Sequence, residues 1–146
     1  MNRRDLLLSS VALASAAIVG KVQAAEGHKH HHHHGSAVNT ALIATASDCI
    51  QQGQVCLSHC LTLLGQGDKE MAACAQSVNQ MLAVCGALQQ LASQESHYLK
   101  SQAKIAMDIC KECEDECKKH ADKHEACKAC MDSCTACYKE CKKVAA

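Results

Sequence analysis

The sequence has no proline, phenylalanine or tryptophan, and only two tyrosines. Aromatic side chains normally supply much of the buried area of a small domain, so other residues must fill this core. Without proline, the residue that most often interrupts a helix is missing. An excess of either charge is also missing, since 15 basic residues balance 15 acidic ones. No basic stripe therefore indicates a nucleic-acid or anionic-membrane partner.

Residues 1–24 have the pattern of an export signal. The twin arginines Arg3 and Arg4 precede an apolar run over residues 6–19, and Ala24 closes a small-residue cleavage site. Because the run is too short to span a bilayer stably, we expect a cleaved Tat-type signal and no stable membrane span. The prediction is export in the folded state to the periplasm or to an internal membrane-derived compartment.

Residues 25–39 show no apolar periodicity and contain a histidine run from His30 to His34, followed by Gly35 and Ser36. This composition predicts a disordered tail. The run is either a native metal-catching tract or an expression tag with its Gly-Ser scar, and the sequence favours neither.

After this tail, four apolar-periodic stretches are separated by short polar or glycine-containing breaks. The predicted helices cover about residues 41–64, 68–92, 95–120 and 122–144. The first stretch stops at Gly65-Gln66-Gly67, where glycine suits a helix C-cap. Asp68 suits the N-cap of the second helix, and Asp122 with Glu125 resembles a capping box for the fourth. Four helices with short links predict an all-α, up-down-up-down four-helix bundle over residues 40–146.

The 13 cysteines fall on one face of each predicted helix. Within each helix they are 3, 4, 7 or 11 residues apart, which are intervals that keep side chains on one side. They are Cys49, Cys56 and Cys60 on the first helix, Cys74 and Cys85 on the second, Cys110, Cys113 and Cys117 on the third, and Cys127, Cys130, Cys134, Cys137 and Cys141 on the fourth. On the fourth helix the inward stripe is cysteine alone, whereas charged residues cover the outside. We therefore predict a cysteine-lined core.

Two interpretations of these cysteines involve no metal. In the first interpretation the cysteines are small buried hydrophobic residues, although packing alone does not require five sulfurs in succession. Alternatively, they staple a helical hairpin with a structural or redox role, which export to an oxidising compartment would favour. Against disulfides, 13 is odd, and cysteines four apart have Cβ atoms about 5 to 6 Å apart, beyond the roughly 3.8 Å of a relaxed bridge. Disulfide bonds between helices remain an open alternative.

The third interpretation is metal binding by thiolates. Two cysteines four apart can hold one ion from adjacent turns, and a facing helix can complete or bridge the site. So many thiolates in a core need close charge cancellation, which about one monovalent ion per cysteine provides. Zn²⁺ in about three four-thiolate sites would leave the core negative. We therefore expect multiple Cu(I) ions, with a zinc-thiolate store as the alternative. Iron–sulfur clusters fit poorly, because their cysteines usually lie on loops, often beside a proline.

The predicted topology gives the bundle two unlike ends, because the first and third links meet at one end. Near these links fall Cys60, Cys74, Cys117 and Cys127 with His59, Met71, His120, His124 and Met131. The opposite end gathers Leu42, Ile43, Leu88, Leu91, Leu99 and Ile105. We predict a hydrophobic plug there and a metal entrance at the first end. His120 and His124 are the preferred histidine ligands, since they continue the spacing of Cys113 and Cys117.

The last two predicted helices carry the motif Cys110-x-x-Cys113-x-x-x-Cys117-x-x-His120, then His124-x-x-Cys127-x-x-Cys130-x-x-x-Cys134-x-x-Cys137-x-x-x-Cys141. With this motif, residues 40–143 resemble the bacterial copper storage proteins, specifically their exported branch. The resemblance implies many Cu(I) ions inside each bundle, assembly into homotetramers, and supply of copper to cuproenzymes, in some members a methane monooxygenase. Ligation carries over most directly to the Cys-x-x-x-Cys pairs, and less directly to Cys49, Cys74 and Cys85.

Catalysis is the least favoured class of function. No Ser-His-Asp-like, paired-carboxylate or phosphate-loop pattern is present, and so many similar thiols mark no single nucleophile. We expect a non-enzymatic store that releases Cu(I) to a carrier or cuproenzyme by ligand exchange.

Overall fold

The computed structural model describes residues 37–146, which form four α-helices joined by short turns. The helices are α1 (Ala37–Gly65), α2 (Met71–Ser93), α3 (Leu99–Lys118) and α4 (Glu125–Ala145). The predicted signal over residues 1–24 and most of the predicted tail lie outside the described residues. Helix α1 begins three residues before the end of that tail prediction, because Ala37, Val38 and Asn39 continue the helix toward its N-terminus.

Each helix packs against two neighbours. Helix α1 contacts α2 and α4, and α3 contacts the same two, while within the described residues no Cα atoms of the diagonal pairs come within 8 Å. Links of five, five and six residues join consecutive helices, which makes those neighbours antiparallel. The prediction of an all-α four-helix bundle with a cysteine-rich core is confirmed.

The first link ends α1 with a glycine in the left-handed conformation. Gly67 has a φ of 97°, and its N–H donates to the carbonyl of Leu64 at 3.0 Å. The N–H of Asp68 donates to the carbonyl of Leu63 at 3.0 Å, which completes a Schellman motif. Asp68 is not the N-cap of α2 as predicted, since the helix begins at Met71. Its carboxylate instead accepts a hydrogen bond from the N–H of Glu70 in the turn before the helix.

The second link repeats this pattern without a glycine. Glu95 has a φ of 48°, its N–H donates to Ala92, and the N–H of Ser96 donates to Leu91. The prediction that helix three begins near residue 95 was wrong, because α3 begins only at Leu99. No glycine marked this turn in the sequence.

The third link also differs from its prediction. Asp122 does not start α4; the N-cap is His124, whose backbone is extended at φ −133° and ψ 106°. The chain first completes a turn in which the N–H of His124 donates to the carbonyl of His120 at 3.0 Å. Helix α4 therefore begins at Glu125, two residues later than a capping box at Asp122 requires.

The core changes in character along the bundle. At the end where α2 meets α3, the fully buried residues include Leu42, Leu88 and Ala103, and Leu99 is 7% exposed. Ile43 and Leu91 pack against this group from its edge. These residues form the apolar plug. Ile105 does not join it, since its side chain is 50% exposed, because the inward positions of α3 are taken by alanines on either side of it.

A glycine brings α1 and α2 close together midway along the bundle. Gly53 lies on the inward stripe of α1, and a Cβ at this position would lie 2.5 Å from Cε of Met81 and 2.9 Å from Cδ2 of Leu82. A side chain at this position would therefore displace the ends of the Met81 and Leu82 side chains, of which Met81 is fully buried. By length and composition α2 is apolar enough to cross a membrane, and 44% of its most apolar stretch is buried inside the bundle.

Candidate metal centre

All 13 predicted cysteine ligands point into the bundle, and each has 0% exposure. The structure describes all of them as free thiols, at Cys49, Cys56, Cys60, Cys74, Cys85, Cys110, Cys113, Cys117, Cys127, Cys130, Cys134, Cys137 and Cys141. On α4 the inward stripe also includes Ser133, which is 3% exposed and donates its hydroxyl hydrogen to the carbonyl of Cys130 at 2.8 Å. The sulfurs therefore form a continuous interior that solvent does not reach.

Four sulfurs form a cluster near the first and third links, which we call the mouth cage. Its members are Cys56, Cys60, Cys74 and Cys127, and all four sulfurs lie within 4.8 Å of one another. The sulfur of Cys56 is 4.0 Å from that of Cys60 and 3.8 Å from that of Cys127, and Cys60 is 3.8 Å from Cys74. Three helices therefore contribute to one four-sulfur site.

A second four-sulfur cluster, the deep cage, lies toward the apolar plug. It takes one cysteine from each helix, namely Cys49, Cys85, Cys110 and Cys137, again with all sulfurs within 4.8 Å of one another. The sulfurs of Cys85 and Cys110 are 3.9 Å apart. Cys49 and Cys85 have no cysteine four residues away on their own helix, so their partners come entirely from other helices.

Two three-sulfur groups lie between the cages. Cys117 and Cys130 join Cys56 of the mouth cage, and Cys130 also groups with Cys113 and Cys134. Because Cys56 and Cys130 each belong to two groups, neighbouring sites share sulfurs. This arrangement suits ions that accept bridging thiolates.

Contacts between sulfurs divide the thiols into two classes of acidity. Hydrogen bonds from Cys110 and then Cys134 lower the pKa of Cys49 to about 5. Hydrogen bonds from neighbouring cysteines likewise lower the pKa of Cys60, Cys130 and Cys137. Neighbouring cysteines, followed by burial, raise the pKa of Cys85, Cys117, Cys134 and Cys141. Each thiol whose pKa is lowered therefore lies beside neighbouring thiols that stabilise its deprotonated form.

Three histidines meet above the mouth cage. Nε2 of His59 lies 3.0 Å from Nδ1 of His124, and the ring centroids of His120 and His124 are 6.5 Å apart. All three are partly exposed, and His120 and His124 line an open cavity of about 460 Å³. The structure thus brings the two predicted histidine ligands together and adds His59, which is next to Cys60 of the mouth cage in the chain.

The two methionines predicted near the entrance lie in different surroundings. Met71 has 0% exposure and belongs to the core, whereas Met131 is half-buried and packs against the core from its edge. Met131 therefore has some access to solvent, and Met71 has none.

A comparison with family models matches residues 36–146 to the copper storage protein family. The chain belongs to this family. The match spans all four helices, and with them the complete set of cysteines that forms the two cages. Membership agrees with the cysteine clusters, which fit storage of Cu(I).

Solved structures of copper storage proteins are similar to this chain. Apo copper storage protein 3 from Bacillus subtilis is 27% identical with a TM-score of 0.65, over 74% of this chain and 99% of that chain. The Cu(I)-bound copper storage protein BsCsp3 is 27% identical with a TM-score of 0.68, over 75% and 99%. A protein from Streptomyces lividans loaded with 10 copper equivalents is 24% identical with a TM-score of 0.68, over 74% and 83%, which supports the fold alone. Curated proteins give no match.

These relatives bear on the predicted location. A further similar structure belongs to a cytosolic copper storage protein from Streptomyces lividans. The fold therefore occurs in a cytosolic protein, and membership of the family does not place this chain outside the cytoplasm. The twin-arginine pattern at residues 3 and 4 lies outside the described residues.

Proposed function

We propose that this chain is a non-enzymatic store that binds Cu(I) along its core, with about one ion per cysteine. The observation that carries the proposal is the continuous set of 13 fully buried sulfurs, with neighbouring sulfurs 3.7 to 4.0 Å apart. Cu(I) is soft and suits thiolate ligands. The shared sulfurs of Cys56 and Cys130 suit an ion that accepts bridging ligands.

Charge balance supports a monovalent ion. The described core contains no buried lysine or arginine that could neutralise the thiolates, and its buried polar residues are Ser77 and Ser133. Leaving many thiolates uncompensated in such surroundings would be costly. One positive charge per thiolate removes this cost, and the Cu(I)-bound and copper-loaded relatives make the proposal consistent with the family.

The proposed path for copper runs through the mouth. His120 and His124, with His59, would receive Cu(I) beside the mouth cage and pass it inward by ligand exchange, and the same path would return it to a copper carrier or cuproenzyme. At the other end, the apolar plug offers no ligand. We further propose export by the Tat route to the periplasm or to an internal membrane-derived compartment. We also propose assembly into a homotetramer, with methane monooxygenase as a recipient of the copper.

An anaerobic titration of the reduced protein with Cu(I), under a strong competing chelator, tests the storage proposal. We expect tight binding of around one ion per cysteine without loss of helicity in circular dichroism. Saturation at three or four ions would contradict the proposal and favour zinc-type sites. Ser133→Ala is a matched control, because Ser133 is buried on the cysteine stripe of α4 but has no sulfur, and the variant should keep full capacity.

A further inference from the structure

The two cages have a geometry that a monovalent copper store does not require. A tetrahedral ion with metal–sulfur bonds of about 2.3 Å holds its sulfurs about 3.8 Å apart. In the mouth cage the pairs Cys56–Cys127 and Cys60–Cys74 are both 3.8 Å apart, and Cys56–Cys60 is 4.0 Å. The other three pairs lie within 4.8 Å, so a modest contraction would bring these sulfurs to the corners of one tetrathiolate site.

The deep cage meets the same condition by a different route. Its four sulfurs come from four helices and lie within 4.8 Å of one another, with Cys85 and Cys110 at 3.9 Å. All four side chains are fully buried, so water does not compete as a ligand. Shortening the sulfur–sulfur distances of the cage by up to about 1 Å would produce a closed four-coordinate site, the arrangement typical of structural zinc.

Each cage also has a neighbouring thiol that can support bound thiolates. The sulfur of Cys117 is 3.7 Å from that of Cys74 in the mouth cage, and the sulfur of Cys141 is 3.9 Å from that of Cys137 in the deep cage. An S–H group that donates to a metal-bound thiolate disperses the negative charge of the site and orients its ligand. A divalent tetrathiolate carries a net charge of −2, so such donors matter in a buried site.

We propose that the copper-free protein binds two divalent, soft, four-coordinate cations of the Zn(II) or Cd(II) class, one in the mouth cage and one in the deep cage. Binding forms four metal–sulfur bonds per ion, and the protons of those cage cysteines that are still protonated go to solvent. The other five cysteines are Cys113, Cys117, Cys130, Cys134 and Cys141, which no four-sulfur cluster of the described residues includes.

Titration of the reduced, copper-free full chain with Co(II) tests the proposal, since Co(II) occupies such sites and reports its ligands in its visible spectrum. We expect sulfur-to-cobalt charge-transfer bands and the intense ligand-field bands of a tetrahedral tetrathiolate, which stop growing at two equivalents per chain. Co(II) held by the histidine run at residues 30–34 gives no sulfur bands, so the two kinds of site are distinguished.

Single variants assign the two ions to the two cages. Cys60→Ser and Cys85→Ser should each reduce the tetrathiolate signal from two equivalents to one, because they remove a ligand from the mouth cage and the deep cage respectively. Cys113→Ser is the matched control, since it also replaces a buried cysteine but belongs to neither cage. It should keep two equivalents, and circular dichroism checks that each variant remains helical.

The unaltered protein gives a second readout that does not depend on how the variants fold. X-ray absorption of the chain with two equivalents of Zn(II) should show four sulfurs at about 2.3 Å. Mixed nitrogen and sulfur ligation, sulfur bands that grow beyond two equivalents, or an equal loss in Cys113→Ser would overturn the proposal. Cu(I) capacity measured on the same protein separates the two proposals, because full Cu(I) loading without a tetrathiolate signal refutes only the divalent sites.

Discussion

The two ends of the bundle are built from different types of residue. Around the first and third links, sulfur and imidazole groups crowd together, and His59, His120 and His124 lie above the mouth cage. Around the second link, Leu42, Leu88 and Leu99 fill the interior, and on α4 Cys141 lies one helical turn beyond Cys137 of the deep cage, toward these leucines. The apolar end therefore contributes mainly to stability, and the end rich in sulfur and imidazole groups contributes mainly to metal entry and release. Variants at one end should leave the property of the other end nearly unchanged.

The largest expected effect is at the plug. Leu88→Ala removes a fully buried side chain and should lower the free energy of unfolding of the copper-free protein by about 2 to 5 kcal/mol, as for other core leucines. Urea denaturation measures the change, and Leu61→Ala is the control because Leu61 is 56% exposed. The folded fraction should still bind the full complement of Cu(I). A loss of copper capacity without loss of stability would contradict the separation of the two ends.

A smaller effect is expected midway between the ends. Gly53→Ala places a Cβ against Met81 and Leu82 and should lower the free energy of unfolding by about 1 to 3 kcal/mol, which is typical of overpacking. Gly86→Ala is the matched control, since a Cβ there meets no heavy atom within 4 Å. It should stabilise α2 by about 0.5 to 1 kcal/mol through helix propensity. This account would be refuted if both variants changed the free energy of unfolding in the same direction, as measured by urea denaturation.

The Schellman motifs that end α1 and α2 give the next prediction. Glu95 at the plug end adopts the conformation that Gly67 adopts near the mouth, without the freedom of a glycine. Glu95→Gly should raise the free energy of unfolding by about 0.5 to 1 kcal/mol, because relief of backbone strain exceeds the entropy that glycine adds to the unfolded chain. Thermal melting of copper-free protein checks the direction. Gly67→Ala, the reverse exchange at the other end, should melt lower.

The smallest effect on stability is expected at the mouth. Replacing His59, His120 and His124 together by alanine should change the free energy of unfolding by no more than about 0.5 kcal/mol per substitution, since all three are partly exposed. The same variant should load Cu(I) more slowly from a carrier, while its capacity in cysteine-bound copper stays near that of the parent. The time course of anaerobic Cu(I) transfer measures this. An unchanged rate would place the entrance elsewhere.

Local patterns predicted much of this molecule. The repeated intervals of three and four residues from Cys127 to Cys141 define one face of a helix, so the cysteine-lined core of α4 could be predicted from the sequence. The glycine at residue 67 likewise marked the end of α1. Ile105 was assigned to the plug because it is apolar, but it lies one position before the inward Ala106 and is half exposed.

The rest depends on contacts that are distant in the chain. Cys49 and Cys85 lack partners on their own helices, and only the packing of four helices brings them into the deep cage with Cys110 and Cys137. Glu95 carries no sequence signal for a left-handed turn, because glycine is the residue that normally marks one. The contact of His59 with His124 depends on where α4 begins, and the N-cap His124 lies two residues after the predicted cap at Asp122.

The deep cage also has a topological consequence. Cys49 and Cys137 are 88 residues apart in the chain, yet their sulfurs lie within 4.8 Å of each other. An ion bound to both closes a loop that includes most of the bundle, as a crosslink would, and an unfolded chain without the ion has far more conformational freedom. Folding and metal occupancy are then linked equilibria, and the bundle resists unfolding most when the cage is full. Release from this cage requires ligand exchange within the folded state, whereas an ion in the mouth cage has the partly exposed histidines beside it.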